Sequence, residues 1–461
     1  MTNDAMTGNA KRRQRRDRKA RTMQDYFFEL ADRLTEKIKG DEVLLMNFSG
    51  EQSEFVRLNR SAVRQAGSVK QAYASLELIR GSRHAKATVA VGGDESDRPR
   101  CEALLAELRT SLDHLPEDPH LLYAIEVRNT EQIGEDTLPD AGAAVDAILT
   151  AGRGRDMVGI YAQGGIHQGF ANSLGQRNWF ATHSFQLDWT FYHAADKAVK
   201  ANYAGGRWSD EEFGRKVQTA AEQLAVLSRE PKTISPGAYR AYLAPAALRE
   251  YLEMVSRGGF GLKAHRTKTT PLLKMLEAGA VLAPSVTLAE NTREGIAPNF
   301  QSAGFVKPEA VTLVKDGRLA DPLVSPRSAK EYSAPTNAAA AHEMPESLDM
   351  AAGDIPADEV LKRLDTGVYV NTLWYLNFSD RPACRITGLT RFATFWVAGG
   401  EIVAPLNVMR FDDTVYRLLG EKLVGLTDRR DFIVSTSTYG GRSTESVRLP
   451  GALVEDFALT L

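Results

Sequence analysis

The sequence predicts an α+β protein with α/β sub-domains in its N-terminal half and a mostly β C-terminal domain. Short runs with the period of a strand, separated by glycines, outnumber the amphipathic helical segments. Beyond residue 300 the pattern is mostly β. A chain of 461 residues, 43% hydrophobic and 25% charged, has enough apolar material for a large core and more than one domain. We therefore expect helices laid on antiparallel meander sheets.

The first α/β sub-domain is predicted at residues 23–115. It begins with a helix that ends near Gly40 and whose apolar face is formed by Tyr26, Phe27, Leu30, Ala31, Leu34 and Ile38. Four β runs, at residues 42–48, 53–59, 68–79 and 82–91, are then separated by glycines, among them Gly50, Gly67 and Gly81. A second helix is predicted at 102–115, and Pro116 and Pro119 after it predict a boundary.

The second α/β sub-domain is predicted at residues 116–230. A helix at 139–151 precedes a strand at 157–163, and the glycine-containing segment 164–169 is interpreted as a tight turn between strands. The alternation of apolar and polar residues at 184–193 is typical of a half-buried strand, which pairs with 197–203 in a predicted hairpin. Ser209 opens a further helix as its N-cap.

The C-terminal domain is predicted at residues 231–461, after a Pro/Gly/Ser-rich link at 231–237. A strand at 238–244 leads into a helix with Pro245 at its first position, where proline is well tolerated. Residues 334–358, rich in Ala, Pro, Glu and Asp, are predicted to form a long exposed loop.

Residues 1–22 form a basic arm that contains eight cations and one anion between Lys11 and Arg21. Such a run is compatible with nucleic-acid binding. It contains no aromatic residue and the whole chain has a net charge of −2, so a solvated extension is the favoured interpretation. We predict neither nucleic acid nor a membrane as a partner. The polar start and the two cysteines predict a reducing, cytoplasmic location.

No motif for catalysis emerges from the residues themselves. A zinc protease typically carries histidines four positions apart on a helix. None of the eight histidines has such a partner: His84, His114, His120, His167, His183, His193, His265 and His342. Cys384 lies between Arg381 and Arg385, which could lower its thiol pKa, so a thiol hydrolase stays an alternative to a plain buried cysteine.

Several segments, taken in order, resemble the TldD/PmbA metallopeptidase family, also described as modulators of DNA gyrase, and specifically its non-catalytic PmbA or TldE branch. The turn Asn172-Ser173-Leu174-Gly175 resembles the family's N-S-x-G turn. The segment 387–405, which contains Gly400-Glu401-Ile402-Val403-Ala404-Pro405, is similar to the family's N-G-E-I-x-x-P stretch. The remaining resemblances lie at 53–58, 76–81, 234–239 and 243–247.

The resemblance implies that this chain has lost the family's zinc site. Catalytic members carry H-E-x-x-x-H on the helix after the strand at 238–244, and a cysteine ligand near the C-terminus. Here that helix reads Leu252-Glu253-Met254-Val255-Ser256-Arg257, with Glu253 in the position of the general base and no histidine beside it. The segment Thr438-Tyr439-Gly440-Gly441 stands where the cysteine is expected. We therefore predict no catalytic residue, metal ligand or cofactor in this chain, and zinc in a partner subunit.

The function implied by the resemblance is that of a non-catalytic subunit in a heterodimeric zinc protease that cleaves unfolded peptides. Its mostly β C-terminal domain would enclose a cavity, and its partner would be a zinc-bearing TldD-like subunit. His167, Asn172, Arg177 and Arg391 are the candidate polar residues facing the substrate chamber, although hydrogen bonds in turns and at sheet edges account for each of them better. The alternative is a peptide-binding or regulatory protein that acts without a protease partner.

Overall fold

A computed structural model describes residues 22–194 and 197–461. The predicted basic arm lies, except for Thr22, outside the described residues. No helix in the described part of the chain is long and apolar enough to cross a membrane. Helices and strands are mixed along the chain, as expected for the predicted α+β class.

The N-terminal half contains seven strands and four helices among the described residues. In chain order they are α1 (Met23–Thr35), β1 (Val43–Asn59), β2 (Ala62–Arg80), β3 (Arg83–Ala90), α2 (Asp97–Leu112), β4 (Thr130–Ile133), α3 (Ala141–Gly152), β5 (Asp156–Asn172), β6 (Arg177–Ala194), β7 (Lys197–Gly205) and α4 (Asp210–Leu227).

These strands form one sheet, the N-terminal sheet, in the order β3-β2-β1-β5-β6-β4, with β7 also paired to β6. The predicted antiparallel meander is confirmed by β1, β2 and β3. Because β1 also pairs with β5, strands from both sides of residue 116 belong to the same sheet. The two sub-domains predicted there therefore share one sheet.

Helices cover one face of the N-terminal sheet. The predicted apolar face of α1 is buried against β1, β2 and α2. The alternation predicted for β6 is also confirmed, because Phe185, Leu187, Trp189 and Phe191 all pack in a core with α3 and α4. Helix α1 ends at Thr35, earlier than predicted, and Gly40 adopts a φ of +56° in the turn that follows.

Two predictions about glycines are wrong. Gly50 and Gly67 do not separate strands but lie inside β1 and β2, and residues 164–169 are not a turn but lie within the unbroken strand β5. A Cβ added at Gly164 would lie 2.1 Å from the carbonyl oxygen of Gln52 in the neighbouring strand. A Cβ at Gly169 would lie 2.7 Å from the ring of Phe27. These glycines allow close packing inside a sheet, where strand propensity alone predicts a break.

The C-terminal half contains thirteen strands and short helices among the described residues. They are β8 (Gly237–Leu243), α5 (Pro245–Gly259), α6 (Leu262–Arg266), α7 (Leu273–Glu277), β9 (Leu288–Glu290), β10 (Val311–Lys315), β11 (Arg318–Leu319), α8 (Pro326–Tyr332), β12 (Ser347–Met350), a 3₁₀ turn (Ala357–Glu359), α9 (Val360–Leu364), β13 (Gly367–Val370), β14 (Trp374–Asp380), β15 (Arg385–Leu389), β16 (Thr394–Ala398), β17 (Glu401–Pro405), β18 (Arg410–Thr414), a π-helical turn (Arg417–Glu421), β19 (Leu423–Val434) and β20 (Ser446–Leu459).

These strands form a large mixed sheet, the C-terminal sheet, around β20. Its main path is β11-β10-β9-β12-β20-β8-β13-β16-β17, while β18 and β19 also pair with β20 and β14 joins through β15. Most of residues 334–358 form a loop, as predicted, but the exposed loop predicted there is wrong at strand β12, which is fully buried. Helix α5 begins with Pro245 as predicted and packs in the main core through residues such as Leu248, Tyr251 and Leu252.

Candidate functional site

An open cleft of about 720 Å³ lies where the two sheets meet. Its walls come from β7 and α4 on one side and from the start of α5, β13, β17 and β19 on the other. Strand β7 pairs with β6 alone among the described strands, so its other edge faces this junction. The Asn371 Nδ2 atom donates to the carbonyl oxygen of Lys200 at 2.8 Å and joins the C-terminal sheet to that edge. The volume is in the range typical of ligand-binding clefts.

Two acidic and two basic side chains cluster between β6, β7 and α5. Lys200 Nζ lies 3.8 Å from Asp188 Oδ2, and Arg249 Nη1 lies 3.5 Å from Glu250 Oε1. Burial raises the pKa of Asp188, although Lys200 and Arg249 oppose the shift. Burial likewise raises the pKa of Glu250, with Arg249 again opposing. The cluster is therefore a mixed-charge surface suited to polar ligand groups.

Glu253, which the resemblance places at the family's general base, forms ion pairs along the surface of α5. Its carboxylate lies 3.7 Å from Arg249 Nη2 and 2.8 Å from Arg257 Nη2, one helical turn away on each side. The sequence has no histidine between His193 and His265. His265 donates through Nε2 to the carbonyl oxygen of Gly259 at 2.7 Å. Helix α5 thus presents a carboxylate neutralised by two guanidinium groups and no imidazole.

These residues do not fit the zinc ion that the fold family implies. Zinc binds several imidazole, thiolate or carboxylate ligands at a common point. No group of three such side chains lies close enough to hold a metal ion within the described ranges 22–194 and 197–461. Two arginines beside the one aligned carboxylate would also repel a dication.

The loop before β20, where the family's cysteine is expected, docks on the N-terminal sheet through Arg442. The Arg442 guanidinium donates to Ser53 Oγ at 3.4 Å, to Gly164 O at 3.1 Å, and to both the carbonyl and the hydroxyl oxygen of Ser184 at 2.7 Å. Its backbone N–H donates to Glu51 Oε2 at 3.2 Å. Burial lowers the pKa of Arg442 to about 10, so the side chain stays charged at neutral pH.

Two of the predicted chamber residues, His167 and Asn172, have partners within the N-terminal sheet. The His167 ring stacks on Trp179 with centroids 6.0 Å apart and meets the His183 ring edge-on at 6.3 Å. Burial lowers the pKa of His167, which favours a neutral ring. Asn172 Oδ1 accepts from the backbone N–H groups of residues 174 and 176 and shapes the turn between β5 and β6.

The other two predicted residues, Arg177 and Arg391, lie in different parts of the molecule. Arg177 forms an ion pair with Asp32 and lies over the Phe28 ring, so it ties β6 to α1 at the same hairpin end as Asn172. Arg391 lies in the C-terminal half and stacks on aromatic rings. The structure therefore brings Asn172 and Arg177 together and separates them from Arg391. A chamber-facing role for the four residues stays a prediction.

The two cysteines are both free and buried. Burial raises the pKa of the Cys384 thiol to about 12, and that of Cys101 to about 11. Arg381, expected to activate Cys384, instead donates to the carbonyl oxygens of Arg257 and Thr269. A buried thiol with such a pKa is not ionised at neutral pH, which argues against a Cys384 hydrolase.

Sequence reasoning missed Arg442 and the Asp188–Glu250 cluster. Arg442 follows two glycines in a segment without periodicity, and its partners lie in distant strands. The sequence offered one indication of its role: an arginine stands next to the position where the resemblance places a cysteine ligand, and no cysteine is present there.

A comparison with known protein families matches the C-terminal half of the chain. A family model described as the PmbA/TldA metallopeptidase C-terminal domain matches residues 236–461. None of the curated proteins compared with the chain matches it.

The fold is shared with several solved structures. TldE from Thermococcus kodakarensis superimposes with a TM-score of 0.74 at 14% identity, over 95% of this chain and 100% of that chain. A candidate modulator of a DNA gyrase from Thermotoga maritima gives 0.73 at 16% identity, over 95% and 100%. A second such candidate, from Bacteroides thetaiotaomicron, gives 0.68 at 17% identity, over 95% and 99%.

Proposed function

This chain belongs to the PmbA/TldD/TldE metallopeptidase group, and we propose that it is the non-catalytic subunit of a heterodimeric zinc protease that acts on unfolded peptides. The proposed partner is a zinc-bearing TldD-like subunit. A cytoplasmic location is part of the proposal, and the two free cysteines support it.

The main support for this proposal is that both segments placed by the resemblance at the family's zinc ligands are engaged in other contacts. On α5, Glu253 is held between Arg249 and Arg257. In the loop before β20, Arg442 anchors the chain to the N-terminal sheet. The fold is kept while the two segments serve packing and ion pairing, which is the arrangement expected of a structural subunit.

The cleft supports a role in holding the substrate. The outer edge of β7 is not paired with another described strand and lines the cleft, which carries both charged and apolar residues. An unfolded peptide can pair with such an edge through its backbone, which selects extended chains over folded ones. The subunit would thereby position the substrate for the partner's zinc.

The decisive experiment reconstitutes the pair. The full chain is co-expressed with a family member that carries H-E-x-x-x-H, and cleavage of a dye-quenched unfolded polypeptide is followed. We expect a stable complex that cleaves the polypeptide, and no cleavage by this chain alone.

Two glutamate variants assign the chemistry to one subunit. Replacing the glutamate of the partner's motif by glutamine should abolish cleavage, whereas Glu253→Gln in this chain should leave the rate within about twofold, because Glu253 forms only surface ion pairs. Cleavage by this chain alone that is lost in Glu253→Gln would overturn the proposal.

A further inference from the structure

An exposed aromatic cluster lies near the junction of the two sheets and is not explained by packing. It consists of Trp374 and Tyr375 at the start of β14 with Arg391 and Phe392 after β15, and is called the aromatic cluster below. Trp374 is 41% exposed and Tyr375 is 75% exposed. Of the five tryptophans in the chain, all within the described residues, Trp374 alone is exposed. Asn371, which contacts β7, lies three residues before Trp374.

The cluster is internally ordered. The Phe392 ring meets the Trp374 ring edge-on, with centroids 5.6 Å apart and planes at 90°. The Arg391 guanidinium lies 5.1 Å from the Phe392 centroid and 5.8 Å from the Trp374 centroid. These contacts fix the cation above an aromatic platform.

The backbone at two of these residues adopts a conformation that side-chain-bearing residues rarely take. Tyr375 has a φ of +55° and Phe392 a φ of +74°. A bulge accompanies the first, because the pairing of β14 with β15 shifts between Trp374 and Asn377. Tyr375 is exposed at this bulge. Strained positions that expose aromatic side chains are typical of binding sites, because folding alone does not favour them.

Arg391 has no acidic partner in the part of the chain that the structure describes. No carboxylate oxygen lies within 4 Å of its guanidinium there, although most arginines in the described ranges do form ion pairs. A cation held on an aromatic platform and without a counter-ion is complementary to a carboxylate.

The size of the cluster favours a peptide over a folded partner. The exposed parts of Trp374 and Tyr375 together amount to on the order of 300 Å². A stable protein interface needs about 800 Å² from each partner. A few residues of extended chain would cover the cluster fully.

We propose that the aromatic cluster binds an extended peptide segment in which a carboxylate side chain neighbours an aromatic or large aliphatic one. The carboxylate pairs with Arg391, and the apolar side chain packs against Trp374 and Tyr375. This inference rests on the proposed function, and it names the class of substrate segment that the subunit selects.

The test measures peptide binding by the full chain alone, through fluorescence anisotropy of two dye-labelled eight-residue peptides. One alternates glutamate with phenylalanine, and the other replaces every glutamate by lysine. We expect the acidic peptide to bind at least about tenfold more tightly, and its binding to shield Trp374 from acrylamide quenching.

Variants then separate the contribution of the Arg391 charge from that of the Trp374 ring. Arg391→Ala should remove the preference for the acidic peptide, and Arg391→Lys should keep part of it. Trp374→Ala should weaken binding of the acidic peptide by about tenfold, whereas Trp374→Phe should weaken its binding less. The matched controls are Arg64→Ala, at an exposed arginine of β2, and Ile125→Ala, at an apolar side chain that is 73% exposed. Both controls should bind as the wild type does.

Three outcomes would overturn the inference: equal affinity for the two peptides, wild-type binding by Arg391→Ala and Trp374→Ala, or a loss of self-association or subunit pairing in those variants without a change in peptide affinity. The last result would identify the cluster as a protein interface. Because the isolated chain is measured, failure here leaves the reconstituted cleavage experiment unaffected, and a failed reconstitution leaves this measurement interpretable.

Discussion

Two arginines of the C-terminal domain, Arg442 and Arg391, show opposite uses of the same side chain. Arg442 is 7% exposed and its guanidinium donates four hydrogen bonds to the N-terminal sheet. Arg391 lies over aromatic rings at the surface and has no carboxylate partner among the described residues. The difference indicates that Arg442 holds the two halves of the fold together, whereas Arg391 is available to a ligand.

The largest effect should come from a side chain added at Gly164, which lies against strand β1 beside Arg442. Gly164 supplies one of its acceptors, has a φ of +147°, and would place a Cβ 2.1 Å from Gln52 O. We expect Gly164→Ala to lower the free energy of unfolding by about 4 kcal/mol, measured by urea denaturation. The control is Gly67→Ala in β2, where a Cβ meets nothing within 4 Å, and it should change stability by less than about 1 kcal/mol. Equal effects in both variants would contradict the close strand packing.

Removing the Arg442 side-chain charge should have the next largest effect. Arg442→Met removes the guanidinium donor from the carbonyl oxygens of Ser184 and Gly164, so we expect a loss of about 3 kcal/mol in unfolding free energy. Limited proteolysis should then cut the loop at residues 435–445 in the variant before it cuts the wild type. A variant as stable and as resistant as the wild type would show that Arg442 does not anchor the domains.

A buried acid offers a contrast with the stably charged Arg442. Glu290 is 7% exposed and accepts from the backbone N–H groups of Glu346 and Ser347. Burial raises its pKa to about 7, although the Ser347 N–H and Lys307 oppose the shift. The folded protein therefore keeps this proton as pH rises from about 4.5 to about 7 while the unfolded chain releases it. Stability should fall across that window and stay low above it.

Glu290→Gln should remove this fall in stability with rising pH. We expect the difference in unfolding free energy between pH 5 and pH 8 to shrink by about 2 kcal/mol relative to the wild type. Glu309→Gln, at a side chain that is 79% exposed, serves as the control and should leave the difference unchanged. An unaltered pH dependence in Glu290→Gln would mean that Glu290 is ionised in the folded protein throughout this window.

The smallest effect on stability should come from Arg391. Arg391→Ala removes only cation–π contacts at the surface, so the unfolding free energy should change by less than about 1 kcal/mol. A loss as large as that of Arg442→Met would remove the contrast between the two arginines and would assign Arg391 to the core of the fold.

Features fixed by local sequence were predictable, and features fixed by distant contacts were not. The apolar face of α1, the alternation in β6 and Pro245 at the start of α5 follow from periodicity and backbone preference. The glycines of β5 were assigned to a turn because the carbonyl of Gln52, far away in sequence, decides their role.

Residues of the candidate site could be predicted only where the resemblance to the family pointed to a position in the sequence. Glu253 and Arg391 were named in advance, but their neighbours were not. Arg442 reaches Ser184 across 258 positions and Glu51 across 391, and such pairings carry no local signal. The platform under Arg391 likewise depends on Trp374 from the preceding strand of a hairpin.

The zinc content of the purified full chain tests the central claim most directly. After dialysis against zinc-free buffer, elemental analysis should find well below about 0.1 zinc per chain, because Glu253 is paired with arginines and the described residues hold no cluster of ligands. One tightly held zinc per chain would contradict the proposal that this protein is the non-catalytic subunit.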